Sequence, residues 1–113
     1  MEPRLTVSNA LQALEKHDQP FKELFNHGSL NVEFYQPKGV DLQQPHSRDE
    51  IYVVVAGRGE FICGSNRQAF EVGEVLFAAA GVEHRFENFS DDFATWVFFY
   101  GPEGGEASEQ TIK

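Results

Sequence analysis

The chain has 113 residues, among them 11 Phe, 3 Tyr and 1 Trp, and its 18 acidic and 9 basic residues give a formal net charge of -9. This length fits a single domain and excludes a catalytic domain joined to a separate DNA-binding domain, and the negative charge makes nucleic acid an unfavourable partner. A lone cysteine, Cys63, excludes an internal disulfide, and no apolar run approaches membrane-spanning length, so we expect a cytoplasmic protein without a membrane partner.

Residues 1–20 predict one short helix. Ser8 is a residue type that caps helices, because its hydroxyl accepts hydrogen bonds from the amides of a first turn. Leu11 and Leu14 follow at a spacing that places apolar side chains on one helical face, and the pattern ends at Lys16. We therefore expect a helical segment that docks on the rest of the domain through Leu11 and Leu14.

Residues 21–101 alternate between short apolar runs and turns, which is typical of antiparallel strands. The runs FKELF and LNVEFY flank Asn26-His27-Gly28, where the glycine suits the left-handed position of a tight turn, and they predict a hairpin. Further strands are predicted for the runs IYVVVA, EFIC, QAFEV, VLFAA, HRFENF and FATWVFFY. Strands that recur every eight to twelve residues or so predict a single all-β sandwich or barrel.

Two of these runs, IYVVV and WVFFY, are apolar on both faces of their strands, so each face needs cover. One face would meet the core, and the other a neighbouring sheet, the N-terminal segment or a second subunit; we expect a homodimer. Residues 102–113 contain one large aliphatic side chain, that of Ile112, and too little apolar surface to offset the entropy of ordering. We therefore expect a flexible C-terminal tail.

Two segments, QPHSRDE and GVEH, bring metal-binding residue types to turns. Because side chains in a strand repeat every two residues, Gln44 and His46 would share one face if their segment were extended. If this face and the faces that carry Glu50 and His84 turn inward, Gln44, His46, Glu50 and His84 converge at one depth of the barrel. They then offer two imidazoles, one carboxylate and, from Gln44, an amide oxygen whose role is open. Such a set suits one divalent transition metal, Fe, Mn, Ni, Cu or Zn, rather than Ca.

Each of these residues also has an ordinary structural interpretation. His46 fits a solvated loop, Glu50 a charged strand boundary, and His84 a core histidine bonded to the backbone. Gln44, with a neutral amide oxygen, has three open roles: direct ligand, holder of a metal-bound water, or hydrogen-bond partner of a substrate. Tyr52 is the candidate catalytic residue, as a proton donor or orienting group, although an inward tyrosine there is also ordinary packing.

The first segment resembles the first sequence motif of the cupins, which reads His-x-His, three or four residues, Glu, six residues, Gly. His46, Glu50 and Gly57 fall in register, and Gln44 stands where the first His is expected. The resemblance implies a jelly-roll β-barrel over residues 21–101 with a metal site built from these positions.

The second segment is similar to the second cupin motif, which reads Gly, five residues, Pro-x-Gly, two residues, His, three residues, Asn. Gly73, Gly81, His84 and Asn88 match it, with Ala79 in place of the Pro. The resemblance leaves the function open, because this scaffold hosts enzymes, binding domains and storage proteins.

Our leading functional hypothesis is a small metal-binding cupin whose ligand is a small anionic or hydroxylated molecule. Its chemistry would be that of a dioxygenase, with iron(II) and dioxygen, or that of an isomerase, with the ion as a Lewis acid on a carbonyl. The alternative is a metal-free barrel that binds a sugar-like molecule without catalysis.

Overall fold

The computed structural model describes residues 3–107, 111 and 113. Within them lie one helix and eight strands: α1 Val7–Glu15, β1 Phe21–His27, β2 Leu30–Tyr35, β3 Asp49–Ala56, β4 Gly59–Cys63, β5 Asn66–Phe70, β6 Val75–Ala78, β7 His84–Glu87 and β8 Ala94–Tyr100. The strands form two antiparallel sheets, one in the order β1-β2-β8-β3-β6 and one in the order β5-β4-β7. The prediction of an all-β jelly-roll fold with a short N-terminal helix is confirmed.

Helix α1 is capped by Thr6, so the prediction of Ser8 as the cap is wrong. Thr6 has extended backbone, with φ -118° and ψ 151°, and its hydroxyl accepts a hydrogen bond from the amide of Asn9 at 3.1 Å. Ser8 lies within the first helical turn, where its backbone is already helical. As predicted, Leu11 and Leu14 pack on the five-stranded sheet. No helix in the described part of the chain is long and apolar enough to cross a membrane.

The predicted hairpin forms one edge of the five-stranded sheet. Strands β1 and β2 pair from Phe21 with Tyr35 to His27 with Leu30, and the register shifts by one residue between Glu23 and Phe25. Gly28 takes a φ of 59° in the turn, a conformation that glycine adopts without the steric cost of a Cβ atom. The inner face of this hairpin forms one wall of the cavity described below.

The core between the two sheets is an aromatic cluster centred on Phe86. Its ring centroid lies 4.7 Å from that of Phe93, 4.9 Å from that of Tyr52 and 5.6 Å from that of Phe70. These separations fall in the range in which aromatic rings attract one another in tilted and edge-to-face arrangements. Because Tyr52 belongs to β3 and Phe86 to β7, the cluster holds the inner faces of these two strands together.

The chain beyond β8 starts with residues that contact the barrel. The amide of Gly104 donates to the carbonyl of Ser47 at 2.6 Å, and the amide of Glu106 donates to Oδ2 of Asp49 at 2.7 Å. Residues 108–110 and Ile112 of the expected tail lie outside the described residues. The flexibility of the tail stays a prediction.

Candidate metal centre

The three predicted ligands come together where the two sheets meet. His46 lies in the loop before β3, Glu50 is the second residue of β3, and His84 is the first residue of β7. The amide of Gly81 donates to the carbonyl of His46 at 2.7 Å, so the turn before β7 is bonded directly to the loop before β3. The fold thereby brings the two sequence segments side by side.

The side chains of His46, Glu50 and His84 each direct one possible ligand atom into the same small volume, and these atoms lie within 4.8 Å of one another. Nδ1 of His46 is 3.0 Å from Oε1 of Glu50, and Nε2 of His84 contacts the same oxygen. The side chains of Glu50 and His84 are both 1% exposed, whereas that of His46 is half-buried. The group is therefore closed on the β3 and β7 side and open toward His46.

Two buried atoms of this group, Oε2 of Glu50 and Nε2 of His84, have no hydrogen-bond partner among the described residues. Nε2 of His84 contacts Oε1 of Glu50, and this contact is an ion pair when the imidazole is protonated. An unpaired buried polar atom costs about 1–3 kcal/mol of folding free energy. A metal ion between these atoms would satisfy both, so the residues present fit a metal.

The backbone orients the His84 ring. Its Nδ1 lies 2.9 Å from the carbonyl oxygen of Val82. A neutral imidazole that donates from Nδ1 leaves the lone pair of Nε2 for a metal, which is the usual arrangement of a ligating histidine. A core histidine bonded to the backbone, the ordinary interpretation, accounts for Nδ1 but leaves Nε2 with only its contact to the Glu50 carboxylate.

The charges of Glu50 and His84 support each other. Burial alone would raise the pKa of Glu50, but the neighbouring His46 and His84 outweigh it and hold this pKa below its usual value. Burial alone would lower the pKa of His84, but the Glu50 carboxylate and the Val82 carbonyl outweigh it and raise this pKa. Without a metal, the cluster therefore favours a proton on His84, and a metal must displace that proton to bind.

We expect the affinity for a divalent metal to fall as the pH decreases, beginning above about pH 6.5, the ordinary pKa of histidine. The raised pKa keeps His84 protonated to a higher pH than usual, and only the deprotonated Nε2 binds metal. Affinity is therefore full above the raised pKa and is lost below it. Zinc titrations between about pH 5.5 and pH 8.5 measure this dependence. Constant affinity across that range would contradict the assignment of His84 as a ligand.

Gln44 does not lie on a strand. Residues 41–46 have no regular secondary structure, so the argument that Gln44 and His46 share a strand face is wrong. The side chain of Gln44 is exposed and lines the cavity that contains the three ligands. Its role as a fourth ligand, a water holder or a substrate contact stays a prediction.

Tyr52 is fully buried beside the centre. Its hydroxyl donates a hydrogen bond to Oε1 of Gln43 at 3.2 Å, and its ring packs on Phe86 in the core. Burial, with the added charge of Glu50, raises the pKa of Tyr52 well above its usual value. The hydroxyl therefore stays protonated at neutral pH, which suits an orienting hydrogen-bond donor better than a proton-transfer group.

A buried hydrogen-bond network around Asp41, which the sequence does not indicate, supports the side of the site formed by the loop before β3. Oδ1 of Asp41 accepts from the hydroxyl of Tyr35 at 2.5 Å, and Oδ2 accepts from the amide of Phe86 at 2.8 Å and from Nε2 of Gln43 at 2.7 Å. The network ties the loop before β3 to β2 and β7 and holds Gln43 against Tyr52. No periodic signal marks Asp41, which lies between two exposed apolar residues in an irregular loop.

A cavity of about 1330 Å³ opens beside the three ligands. Its walls come from the inner faces of β1, β2 and β8 and from the loop between β2 and β3, and α1 contributes to its mouth. This volume accommodates a small organic molecule next to the centre.

Comparison with known sequences gives one family and one relative. The cupin domain profile matches residues 31–100. An uncharacterised protein of Streptomyces coelicolor is 40% identical over 63 residues, which make up 56% of this chain and 60% of that protein. The chain therefore matches less than two thirds of the length of this relative.

Solved structures share the fold at low sequence identity. A cupin-2 domain containing protein from Shewanella frigidimarina has a TM-score of 0.69 at 14% identity, over 86% of this chain and 94% of its own. The protein NMB1881 from Neisseria meningitidis has a TM-score of 0.69 at 16% identity, over 87% of this chain and 99% of its own. A Thermotoga maritima protein described as a predicted oxalate decarboxylase has a TM-score of 0.56 at 20% identity, over 71% of this chain and 77% of its own. Likeness at these identities extends to the fold alone.

Proposed function

The chain belongs to the cupin domain family, and we propose that it is a metal-dependent member that acts on a small organic molecule. His46, Glu50 and His84 would hold one divalent transition-metal ion, Fe, Mn, Ni, Cu or Zn. The observation that carries this proposal is the convergence of His46, Glu50 and His84, whose possible ligand atoms lie within 4.8 Å of one another. Oε2 of Glu50 is buried among them without a hydrogen-bond partner in the described part of the chain.

A bound ion of this kind supplies the Lewis-acid or redox chemistry that isomerases and dioxygenases use. The chain's own residues would position the substrate: the cavity walls shield it from bulk water, and Tyr52 would orient it through Gln43, which lines the cavity and accepts a hydrogen bond from the Tyr52 hydroxyl. Gln44, which lines the same cavity, is the further polar contact that we propose. A metal-free sugar-binding barrel is the less favoured alternative, because it would leave Oε2 of Glu50 buried without a hydrogen-bond partner among the described residues.

Metal analysis of protein purified without an affinity tag tests the proposal. We expect about one divalent transition-metal ion per chain and a lower melting temperature after chelation, because an ion that binds only the folded state stabilises it by mass action. At an ion concentration 100-fold above Kd this stabilisation is about 2.7 kcal/mol. Chelator should lower the melting temperature of a His84→Ala variant less than that of the wild type, because the variant binds the ion more weakly. The proposal would be contradicted by wild-type protein that contains no metal and whose melting temperature changes neither with chelator nor with added metal.

We further propose that the protein is a homodimer. Ile51 and Val53 alternate with the core residue Tyr52 and so face outward, and Val75, which pairs with Val53, is 65% exposed. Helix α1 covers only the part of this face near Trp96. A second subunit would remove the remaining apolar surface from water. Sedimentation at micromolar concentration should give twice the chain mass of 12.8 kDa, and a monomer alone would contradict the proposal.

A further inference from the structure

Glu33 places a second carboxylate in the cavity of the proposed metal centre. It lies on the inner face of β2, where it pairs with Glu23 of β1 and with Val97 of β8. Val97 pairs in turn with Tyr52 of β3, two residues from Glu50. Glu33 and Glu50 thus belong to one face of one sheet, and both line the same cavity.

The Glu33 carboxylate has no partner among the described residues, since no hydrogen bond or ion pair reaches it. Its neighbour Glu23 does have one, because Nδ2 of Asn31 donates to Oε1 of Glu23 at 2.5 Å. Arg48, a cation on the same wall, donates to Oδ1 of Asn31 at 2.6 Å and to two backbone carbonyls. The guanidinium is therefore committed to structure, and Glu33 is left for a ligand.

The surroundings of Glu33 are unfavourable for an empty site. Like charges directly opposite each other on paired strands destabilise a sheet, and Glu33 stands opposite Glu23. Burial, and then the charges of Glu23 and Glu50, disfavour a negative Glu33, and His46 offsets only part of this. A positively charged donor in the cavity would relieve the repulsion and provide the missing hydrogen bond.

The remaining lining of the cavity supports a ligand that combines a cation with an apolar part. Its carboxylates outnumber its lysine and arginine side chains, with Glu15, Asp18, Glu23, Glu33 and Glu50 against Lys38 and Arg48. The exposed side chains of Phe21, Val40 and Leu42 give it an apolar rim. Even with a divalent ion at the centre, these five carboxylates exceed the positive charges of Lys38, Arg48 and the ion by one. The anionic ligand that the sequence offered as one alternative is therefore disfavoured.

We propose that the cavity selects a small protonated organic amine, with its ammonium group bonded to Glu33 and its apolar part against the rim. The inference deepens the proposed function by naming its substrate class, and it rests on that function for the metal beside the bound amine. The selection of the amine itself depends on Glu33 and not on the metal.

Three probes that share one apolar group test the selection: 2-phenylethylamine, 2-phenylethanol and phenylacetate. Calorimetric titration of both metal-loaded and chelator-stripped protein should show the highest affinity for the amine. We expect this affinity to exceed that for the alcohol by about tenfold, because one charge-assisted hydrogen bond contributes a free energy of about that size. Glu33→Gln keeps the shape of the side chain and should abolish this preference. Glu71→Gln, at an exposed position outside the cavity, changes the net charge equally and should retain it.

The inference is overturned if the alcohol or the acid binds as tightly as the amine, if Glu33→Gln keeps the preference, or if no probe binds at millimolar concentration. Removing one of two opposed carboxylates should not lower the melting temperature, so a well-folded Glu33→Gln protein is expected. Failure of the proposed function would give a different result from failure of this inference. A protein that takes up no metal yet prefers the amine would contradict the metal centre and support this inference.

Discussion

Replacement of His84 by alanine is expected to lower the affinity for a divalent metal ion by about tenfold or more. His84 supplies one of the two imidazoles of the centre, and its buried Nε2 has no hydrogen-bond partner among the described residues. Loss of even a group that only supports a ligand costs about 10–100-fold in metal affinity, so loss of a ligand should cost at least as much. Competition between the protein and a chromophoric zinc chelator of known affinity measures the change.

Two matched variants make this result specific. His27→Ala removes an exposed imidazole outside the cavity and should leave the affinity unchanged. Gln44→Ala should cost less than His84→Ala, because an exposed amide oxygen is a weaker ligand than a buried imidazole. Equal metal occupancy in wild type and His84→Ala would place the ion elsewhere.

The positions of His46, Glu50 and His84 were open to prediction because each depends on a local signal. Glu50 directly precedes the apolar run of β3, and the Gly81 turn leads directly onto the strand that His84 begins. Strands β3 and β7 belong to different sheets, and the aromatic core between the sheets brings them together. The family motif spacing adds to these signals without replacing them.

Features that depend on irregular backbone were not open to prediction in the same way. A period of two applies only to strands, and the loop that carries Gln44 is not one. The Asp41 network joins this loop to the amide of Phe86, 45 residues further along the chain, and no local pattern encodes that contact. Thr6 and Ser8 are both capping residue types, so only the extended backbone at Thr6 decides between them.

Replacement of Gly57 by alanine is expected to cause a large loss of stability. Gly57 has a φ of +83°, and a Cβ atom there would lie 2.6 Å from Cα and 2.7 Å from the amide nitrogen of Phe93. These are backbone atoms, which cannot move aside as the end of a flexible side chain can. The left-handed conformation costs a non-glycine residue about 1–2 kcal/mol and overpacking about 1–3 kcal/mol more, so the free energy of unfolding should fall by about 2–5 kcal/mol.

Gly39→Ala separates the two contributions to that loss. Gly39 has a similar φ of +75°, but a Cβ atom there would meet nothing within 4 Å, so this variant carries the conformational cost alone. Urea denaturation of both variants should therefore show a loss of about 1–2 kcal/mol for Gly39→Ala and a clearly larger one for Gly57→Ala. Equal losses would mean that the turn at Gly57 does not pack closely on Phe93.

Because Gly57 directly follows β3, which carries Glu50, displacement of this turn in Gly57→Ala should also weaken metal binding. Gly39→Ala should leave metal binding unchanged.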